Sequence, residues 1–330
     1  MSAGTPVAWT AAGTPLLRPT RLVGLASILV DVAVRLPALP ERGGDVVADD
    51  AGRAAGGGLN ALAAAARLRL PAAYAGPHGT GPNGDSVRAA LAADRVVPLL
   101  VPAPGADTGW CLAMVEPDGE RTFVTVPGAE ARQRGDRLAT LRLHDRDALY
   151  VSGYDLAYPD AGPAVAAFVA GLPPAGPAGG PLVVLDPGPL VADVPAALLA
   201  AVLARLDLVT LSRAEAEVLG LDDDLHAPGL PAGAAVVLRA GAHGARVRLP
   251  GGPVVTVPGV PAPGPVVDTN GAGDVHTGAL VAGLSRGLAL PAAAALANAA
   301  AAVSVTRPGA NSGPTDADLA DGADLRVPGA

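Results

Sequence analysis

The sequence predicts an α/β protein built on a mostly parallel sheet with helices on both faces. Three observations predict it. Short apolar segments alternate with helical stretches through the second half of the chain, at residues 148–152, 182–185, 206–210 and 234–238, and strands separated by helices pair in parallel through crossovers. Each segment ends at a polar or glycine-rich turn: Ser152-Gly153-Tyr154-Asp155, Asp186-Pro187-Gly188, Ser212 to Glu215, and Arg239-Ala240-Gly241. Ligand-contacting residues of open α/β sheets collect at those carboxyl ends. Finally, glycine-rich turns run straight into helical stretches at Gly56-Gly57-Gly58-Leu59-Asn60 and at Asp268-Thr269-Asn270-Gly271-Ala272-Gly273-Asp274.

Residues 1–20 are rich in Pro, Gly, Ala and Thr without periodicity, which predicts a loose extension ahead of a single domain over residues 21–330. Residues 21–34 are apolar with β-branched side chains and read as a first strand running to Asp31. A lone acid there either closes a turn or holds a hydroxylated ligand at a sheet's carboxyl edge. Residues 36–55 are irregular, with room for short edge strands. The helix after Gly56–Gly58 runs to about Leu70 and carries Asn60 in its first turn, as a cap or as a ligand for a substrate hydroxyl. Residues 71–76 form another short strand, and a turn-rich segment precedes a helix to Ala93. Alternating segments at 109–115 and 121–126 flank Glu116-Pro117-Asp118-Gly119-Glu120 and make a β-hairpin.

The stretch 264–274 carries the chemistry. Residues 264–267 read as a strand or strand end, and residues 275–288 as a helix without Pro, carrying small residues suited to close packing. Gly271 and Gly273 then fall in a first helical turn, where backbone N–H groups lack intrahelical partners and the macrodipole is positive. Such a turn binds anions, and a missing Cβ lets a phosphate come close. Asp274 adds a carboxylate that repels phosphate and therefore needs a reason. It accepts the proton of a hydroxyl that attacks a phosphoryl group, while the amides hold the developing charge. That is kinase chemistry. The plain alternative is a glycine-rich turn with solvated acids. A calcium loop is excluded, because Ala272 and Ala279 stand where oxygen ligands are needed.

Composition narrows the field. Half of the 330 residues are hydrophobic but only 2% are aromatic, so the core is built from Ala, Val and Leu. All 23 basic residues are arginines. Without lysine there is no P-loop, no protein-kinase strand lysine and no pyridoxal Schiff base. The net charge of −8 comes without a basic, aromatic-interleaved run, which speaks against nucleic-acid binding. Cys111 is the single cysteine and reads as core, and the five histidines show no metal-ligand spacing. No signal peptide is visible, and the uncharged stretch 287–306 is interrupted by Pro291 and Asn298, so a buried helix, no membrane span and a cytoplasmic location are expected.

In their order these residues resemble the ribokinase-like, or PfkB, family of carbohydrate kinases, from about Leu22 to Pro314. The family's second signature corresponds to Asp268–Asp274 and its first to Ala55-Gly56-Gly57-Gly58-Leu59-Asn60-Ala61; Gly119-Glu120-Arg121-Thr122, Asp186-Pro187 and Arg307-Pro308-Gly309-Ala310 follow as landmarks. The resemblance implies a three-layer α/β/α sandwich with a small β-sheet lid, placed at about 32–55 and 107–126. It implies a sugar or polyol under the lid and ATP with magnesium at the sheet edge. Asp274 matches the general base, and Gly271, Ala272 and Gly273 the anion hole. Asp31, Gly56, Gly57 and Asn60 match sugar-binding positions. Ser212, Glu215, Arg239, Gly241 and Asn298 match the nucleotide side, with Glu215 tied to magnesium. Asp268 and Ser312 resemble a monovalent-cation site, for potassium, of some members. A homodimer through the lid is a further expectation.

Three departures stand out. Ser212 replaces the asparagine of the family's Asn-x-x-Glu motif, Leu29 stands where ribokinases carry a sugar-binding asparagine, and His276 replaces a bulky apolar residue and reads as a packed helix residue. The expected activity is ATP-dependent phosphorylation of a sugar or polyol hydroxyl. A nucleoside kinase of the same family and a regulator that has lost catalysis are the alternatives.

Overall fold

The computed structural model describes residues 8–176 and 179–321. Thirteen strands form two sheets. The large sheet contains β1 (Arg21–Leu25), β4 (Ala72–Tyr74), β5 (Val97–Pro98), β8 (Asp147–Ser152), β9 (Leu182–Asp186), β10 (Leu208–Ser212), β11 (Ala235–Arg239), β12 (Gly244–Arg248) and β13 (Val254–Pro258). Its order is β13-β12-β11-β10-β9-β8-β1-β4-β5, parallel from β11 through β5 and antiparallel only at β12 and β13. The antiparallel pair was not foreseen, because Gly244 and the Pro/Gly turn after Leu249 break its apolar pattern.

The helices are α1 (Gly58–Arg67), α2 (Pro82–Ala93), α3 (Gly135–Leu138), α4 (Gly153–Ala157), α5 (Ala161–Ala170), α6 (Ala196–Leu203), α7 (Arg213–Leu219), α8 (Ala272–Ser285), α9 (Leu290–Ser304) and α10 (Asp316–Asp321). Side chains of a strand alternate between faces. Accordingly Leu22, Tyr74, Tyr150 and Val184 join the apolar layer under α1, α8 and α9, while Val23, Ala73, Leu149, Val151, Val183 and Leu185 join the layer under α5 and α6. Glycine permits the tightest contact: a Cβ on Gly278 of α8 would lie 2.1 Å from the Ala61 carbonyl oxygen of α1. Residues on these two helices therefore meet.

The small sheet contains β2 (Val30–Arg35), β3 (Asp49–Ala55), β6 (Trp110–Val115) and β7 (Arg121–Val126), in the order β3-β2-β6-β7. The β6–β7 hairpin closes through Gly119, whose φ of 88° requires glycine in practice. In register across the sheet, Asp31 stands beside Ala54 and Cys111, and Cys111 beside Thr125. The next row on the same face is Gly52, Ala33, Ala113 and Phe123, and its three small residues leave space beneath the sheet.

Three expectations need correction. Residues 21–34 are two strands in two sheets, separated at 26–29, because Asp155 seizes the Ser27 backbone and turns the chain. Residues 8–20 are packed: Trp9 is 5% exposed and its indole donates to the Asp207 carbonyl at 3.1 Å, covering core that would otherwise meet water. Residues 1–7 lie outside the described set. Residues 264–267 form no strand; Pro265 has no N–H to offer a ladder, and Val267 donates to the Val305 carbonyl instead.

Candidate active site

The glycine turn before α8 makes an anion-binding end. Gly271 is the N-cap with φ 74°, a left-handed conformation that favours glycine, and its missing Cβ points at the Ala310 carbonyl oxygen, 2.4 Å away. The missing Cβ of Gly273 points at the Arg239 guanidinium, 3.6 Å away. Neither vector opens on free space, so loop packing and φ, rather than the approach of a ligand, account for Gly271. Ala272 donates to the Thr269 carbonyl and Val275 to that of Gly271. Between them, the Gly273 and Asp274 N–H groups have no partner among the described residues. Two free amides at a helix N-terminus attract a negative oxygen.

Asp274 sits in that first turn. Its Oδ2 accepts from Asn60 Nδ2 at 3.0 Å, across the α1–α8 contact. The carboxyl is half-buried, yet enough protein surrounds it that desolvation pushes it up to about 7, against the Asn60 hydrogen bond and Arg239, which pull it down. A carboxylate poised near neutrality suits proton transfer. Asn60 Oδ1 is buried without a partner, an acceptor left for a donor from outside the protein. Asp31 arrives from β2 and its Oδ2 occupies the space, 2.1 Å away, that a Cβ on Gly56 would need, and burial pushes its carboxyl up to about 6. Asp31, Gly56, Gly57, Asn60 and Asp274 thus gather where α1, α8 and the small sheet meet.

A second group lies at the carboxyl edge of β9–β11. Arg239 at the end of β11 donates to both oxygens of Asp186 at 2.6 and 3.2 Å, to Thr210 and Thr277 Oγ1 at 3.2 Å, and to Glu215 at 3.4 Å. Thr277 of α8 also donates to Asp186, at 3.1 Å. Arg239 is held charged by this ring of acids, while burial pushes Glu215 upward. Ser212 is the N-cap of α7 and forms a capping box with Glu215: Ser212 N donates to Glu215 Oε2 at 2.7 Å, and Glu215 N to Ser212 Oγ at 3.4 Å. Serine caps a helix as well as asparagine does, so this departure leaves Glu215 in place.

Gly241 and Asn298 stand apart from the Arg239 network. Gly241 is exposed with φ 56°. Asn298 Nδ2 donates to the Pro258 carbonyl at 3.0 Å. His276 is buried on α8, and desolvation together with Arg239 pushes it down to about 3, so the imidazole is neutral. Both of its ring nitrogens lack a partner, as a packed side chain tolerates at a cost.

The two expected monovalent-cation residues, Asp268 and Ser312, are each engaged by other protein groups. Asp268 Oδ1 accepts from Arg121 Nη2 at 2.8 Å and from Asn270 N at 2.7 Å, and Oδ2 from Gly309 N at 3.1 Å. Ser312 donates its hydroxyl to the Ser304 carbonyl at 3.1 Å. A guanidinium already neutralises the carboxylate, so the donor set does not fit potassium. For magnesium, no cluster of three acidic, histidine or cysteine side chains with metal-binding geometry exists among the described residues. Asp186 is spent on Arg239 and Thr277, and Glu215 Oε2 on Ser212 and Arg239, which leaves Glu215 Oε1 as a hard oxygen donor beside the anion-binding end, suited to an ion held chiefly by phosphate and water.

A cavity of about 750 Å³ opens beneath the small sheet, lined by Asp31, Ala33, Arg35, Arg121, Asn270 and Asp268 among others. Asp274 is not part of that lining; Asp31 and Asn270 mark the inner end from which its turn is reached. The sequence missed three members of the site: Asp186, Thr277 and Arg121. Asp186 ends a strand, which was the available signal. Arg121 stood in the Gly119–Thr122 landmark without a role and Thr277 carried no signal, because each owes its place to a partner more than 90 residues away, Asp186 for Thr277 and Asp268 for Arg121. No described helix is long and apolar enough to cross a membrane.

Comparison with known proteins agrees with this fold. A curated protein of Escherichia coli K12 described as an uncharacterized sugar kinase, YegV, is 36% identical over 307 residues, covering 90% of this chain and 92% of that one. Among solved structures, ribokinase from Thermotoga maritima superposes with a TM-score of 0.75 at 21% identity, covering 93% of this chain and 99% of that one. A Burkholderia thailandensis nucleoside kinase solved with inosine gives 0.71 at 20% identity, covering 91% and 94%. The profile described as pfkB family carbohydrate kinase matches residues 22–317. With that match spanning both glycine turns, both sheets and the Arg239 network, the chain belongs to the pfkB family of carbohydrate kinases.

Proposed function

We propose that this kinase transfers the γ-phosphoryl group of ATP to a hydroxyl of a small sugar or polyol, with Asp274 as general base. One observation carries the reading: an acid pushed up to about 7 stands in the same helical turn as two unpartnered amides. The substrate hydroxyl, held by Asp31 and the open Asn60 Oδ1, gives its proton to Asp274. Its oxygen bonds to the γ-phosphorus as the bond to the β,γ-bridging oxygen breaks, and ADP leaves with that electron pair. The Gly273 and Asp274 N–H groups hold charge on the phosphoryl oxygens in flight. Arg239 fixes Asp186, Glu215 and Thr277 around the same end. Magnesium bound with the nucleotide would supply charge neutralisation on the phosphates, and Glu215 would hold it through water. Gly241 and Asn298 line the nucleotide side.

Asp274→Asn keeps size and polarity but accepts no proton. Turnover should fall at least about 10²-fold, the usual scale for a lost general base, with ATP binding by calorimetry little changed. Turnover equal to the parent protein would remove Asp274 from this role.

A nucleoside is the second reading of the acceptor. The cavity volume of about 750 Å³ favours it, because a monosaccharide alone leaves much of that space empty. Release of ADP across sugars and nucleosides separates the two. The outer face of the small sheet, where Trp110, Val124 and Val126 stand together and are each partly exposed, supports a homodimer through the lid.

A further inference from the structure

Asp155 is one of the buried acids that the mechanism leaves unused. Asp155 in α4 is 3% exposed, and burial pushes its carboxyl up to about 7 against the hydrogen bonds that pull it down. A buried carboxylate needs a structural reason. Both of its oxygens are committed to a single residue: Oδ2 accepts from Ser27 N at 2.8 Å and Oδ1 from Ser27 Oγ at 2.9 Å. Ser27 lies at the break between β1 and β2, where the chain leaves the large sheet for the small one.

From Ser27 the contacts run to the acceptor side of the site. The Ser27 carbonyl accepts from Gly58 N at 2.8 Å, and a Cβ on Gly57 would lie 2.5 Å from that oxygen. Two residues on, the Leu29 carbonyl accepts from Gly56 N at 2.9 Å. Gly57 in turn accepts from Asn60 N at 3.0 Å, and Asn60 reaches Asp274. Both Asp31, two residues after Leu29, and the turn that carries Asn60 are therefore set against a segment whose position is fixed from behind by Asp155.

We propose that Asp155 is a positioning residue for the acceptor alcohol: it clamps Ser27 and thereby aligns Asp31 and the Gly56–Asn60 turn, without touching either substrate. The proposal rests on the acceptor-side reading of Asp31 and Asn60, but its geometric core stands without it. No hydrogen bond of the Asp155 side chain leads to Arg239, Glu215 or Asn298, so the nucleotide side should respond far less than the acceptor side.

The test uses the full-length protein, first without ligand. In Asp155→Asn the side chain can no longer accept at both positions, and in Ser27→Ala only the hydroxyl bond is lost. Hydrogen exchange of the peptide covering residues 55–61 should quicken by about tenfold in the first variant and less in the second, while peptides of β10 and β11 keep their parent rates. Unchanged exchange at 55–61, or a uniform rise across the chain in both variants, would overturn the proposal. In steady-state kinetics with whichever sugar of a pentose and hexose panel gives the greatest ADP release, KM for that sugar should rise about tenfold with KM for ATP within twofold. A rise in both KM values alike would overturn it. If no member of the panel supports ADP release by the parent protein, the proposed function fails, and the exchange experiment still decides the role of Asp155.

Discussion

The two glycine turns look alike in sequence and differ in what they leave free. Each precedes a helix with a polar residue in the first turn, Asn60 in α1 and Asp274 in α8, and the two side chains touch. In the α1 turn, however, the amides of Gly56, Gly58 and Asn60 are spent, on Leu29, Ser27 and Gly57, with those of Gly57 and Leu59 left between them. In the α8 turn, Ala272 is spent on Thr269, and the adjacent amides of Gly273 and Asp274 are open beside the carboxyl of Asp274 itself. The first, tied at three amides, is chiefly a wall that fixes side chains, and the second, with adjacent open amides beside an acid, is a charge-binding end. A glycine-rich helix start therefore has no function of its own until the destination of its N–H groups is known.

The hundredfold loss expected for Asp274→Asn is the largest test of this contrast. Next comes a pair of alanine substitutions. Gly57→Ala forces a side chain into φ 64° and 2.5 Å from the Ser27 oxygen, whereas Gly273→Ala places a methyl at an ordinary 3.6 Å from Arg239. Chemical denaturation should show the first variant destabilised by about 2 kcal/mol or more and the second changed by about 0.5 kcal/mol or less. Equal losses would dissolve the distinction between wall and charge-binding end.

A smaller effect concerns pH. Asp274 must be ionised to accept a proton, so kcat/KM should rise with pH through about 7, where its carboxyl titrates. The Asn60 amide stabilises the ionised form, and Asn60→Ala should shift that acid limb to higher pH. A limb that stays in place would mean that the contact between the turns does not reach the base. The smallest effect is an absence: with Asp268 paired to Arg121, replacing potassium chloride by choline chloride should change turnover by less than about twofold.

Much of this was legible because periodicity and turn chemistry are local. The parallel strands β8 to β11, the β6–β7 hairpin and the helix after Gly271 follow from spacing, Gly and Pro alone. What stayed hidden depends on distant partners. Nothing near Ser27 announces that Asp155, 128 residues on, bends the chain there and divides one apparent strand between two sheets. Trp9 looked loose because its anchor is Asp207. Asp268 was read as a cation ligand from its place in the motif, and only the folded chain reveals Arg121 opposite it. Ser212, by contrast, looked like a defect and proves a competent cap, because capping depends on an oxygen at the right atom count, not on residue identity.

The Arg121–Asp268 ion pair joins β7 of the small sheet to the loop ahead of Gly271, and the same carboxylate secures Asn270 and Gly309. The pair ties the sheet that roofs the cavity to the loop that shapes the phosphate-gripping turn, so a displacement of β7 would strip that loop of its counterion. The placement of the roof and the shape of the turn are in this way one variable, set by a single carboxylate.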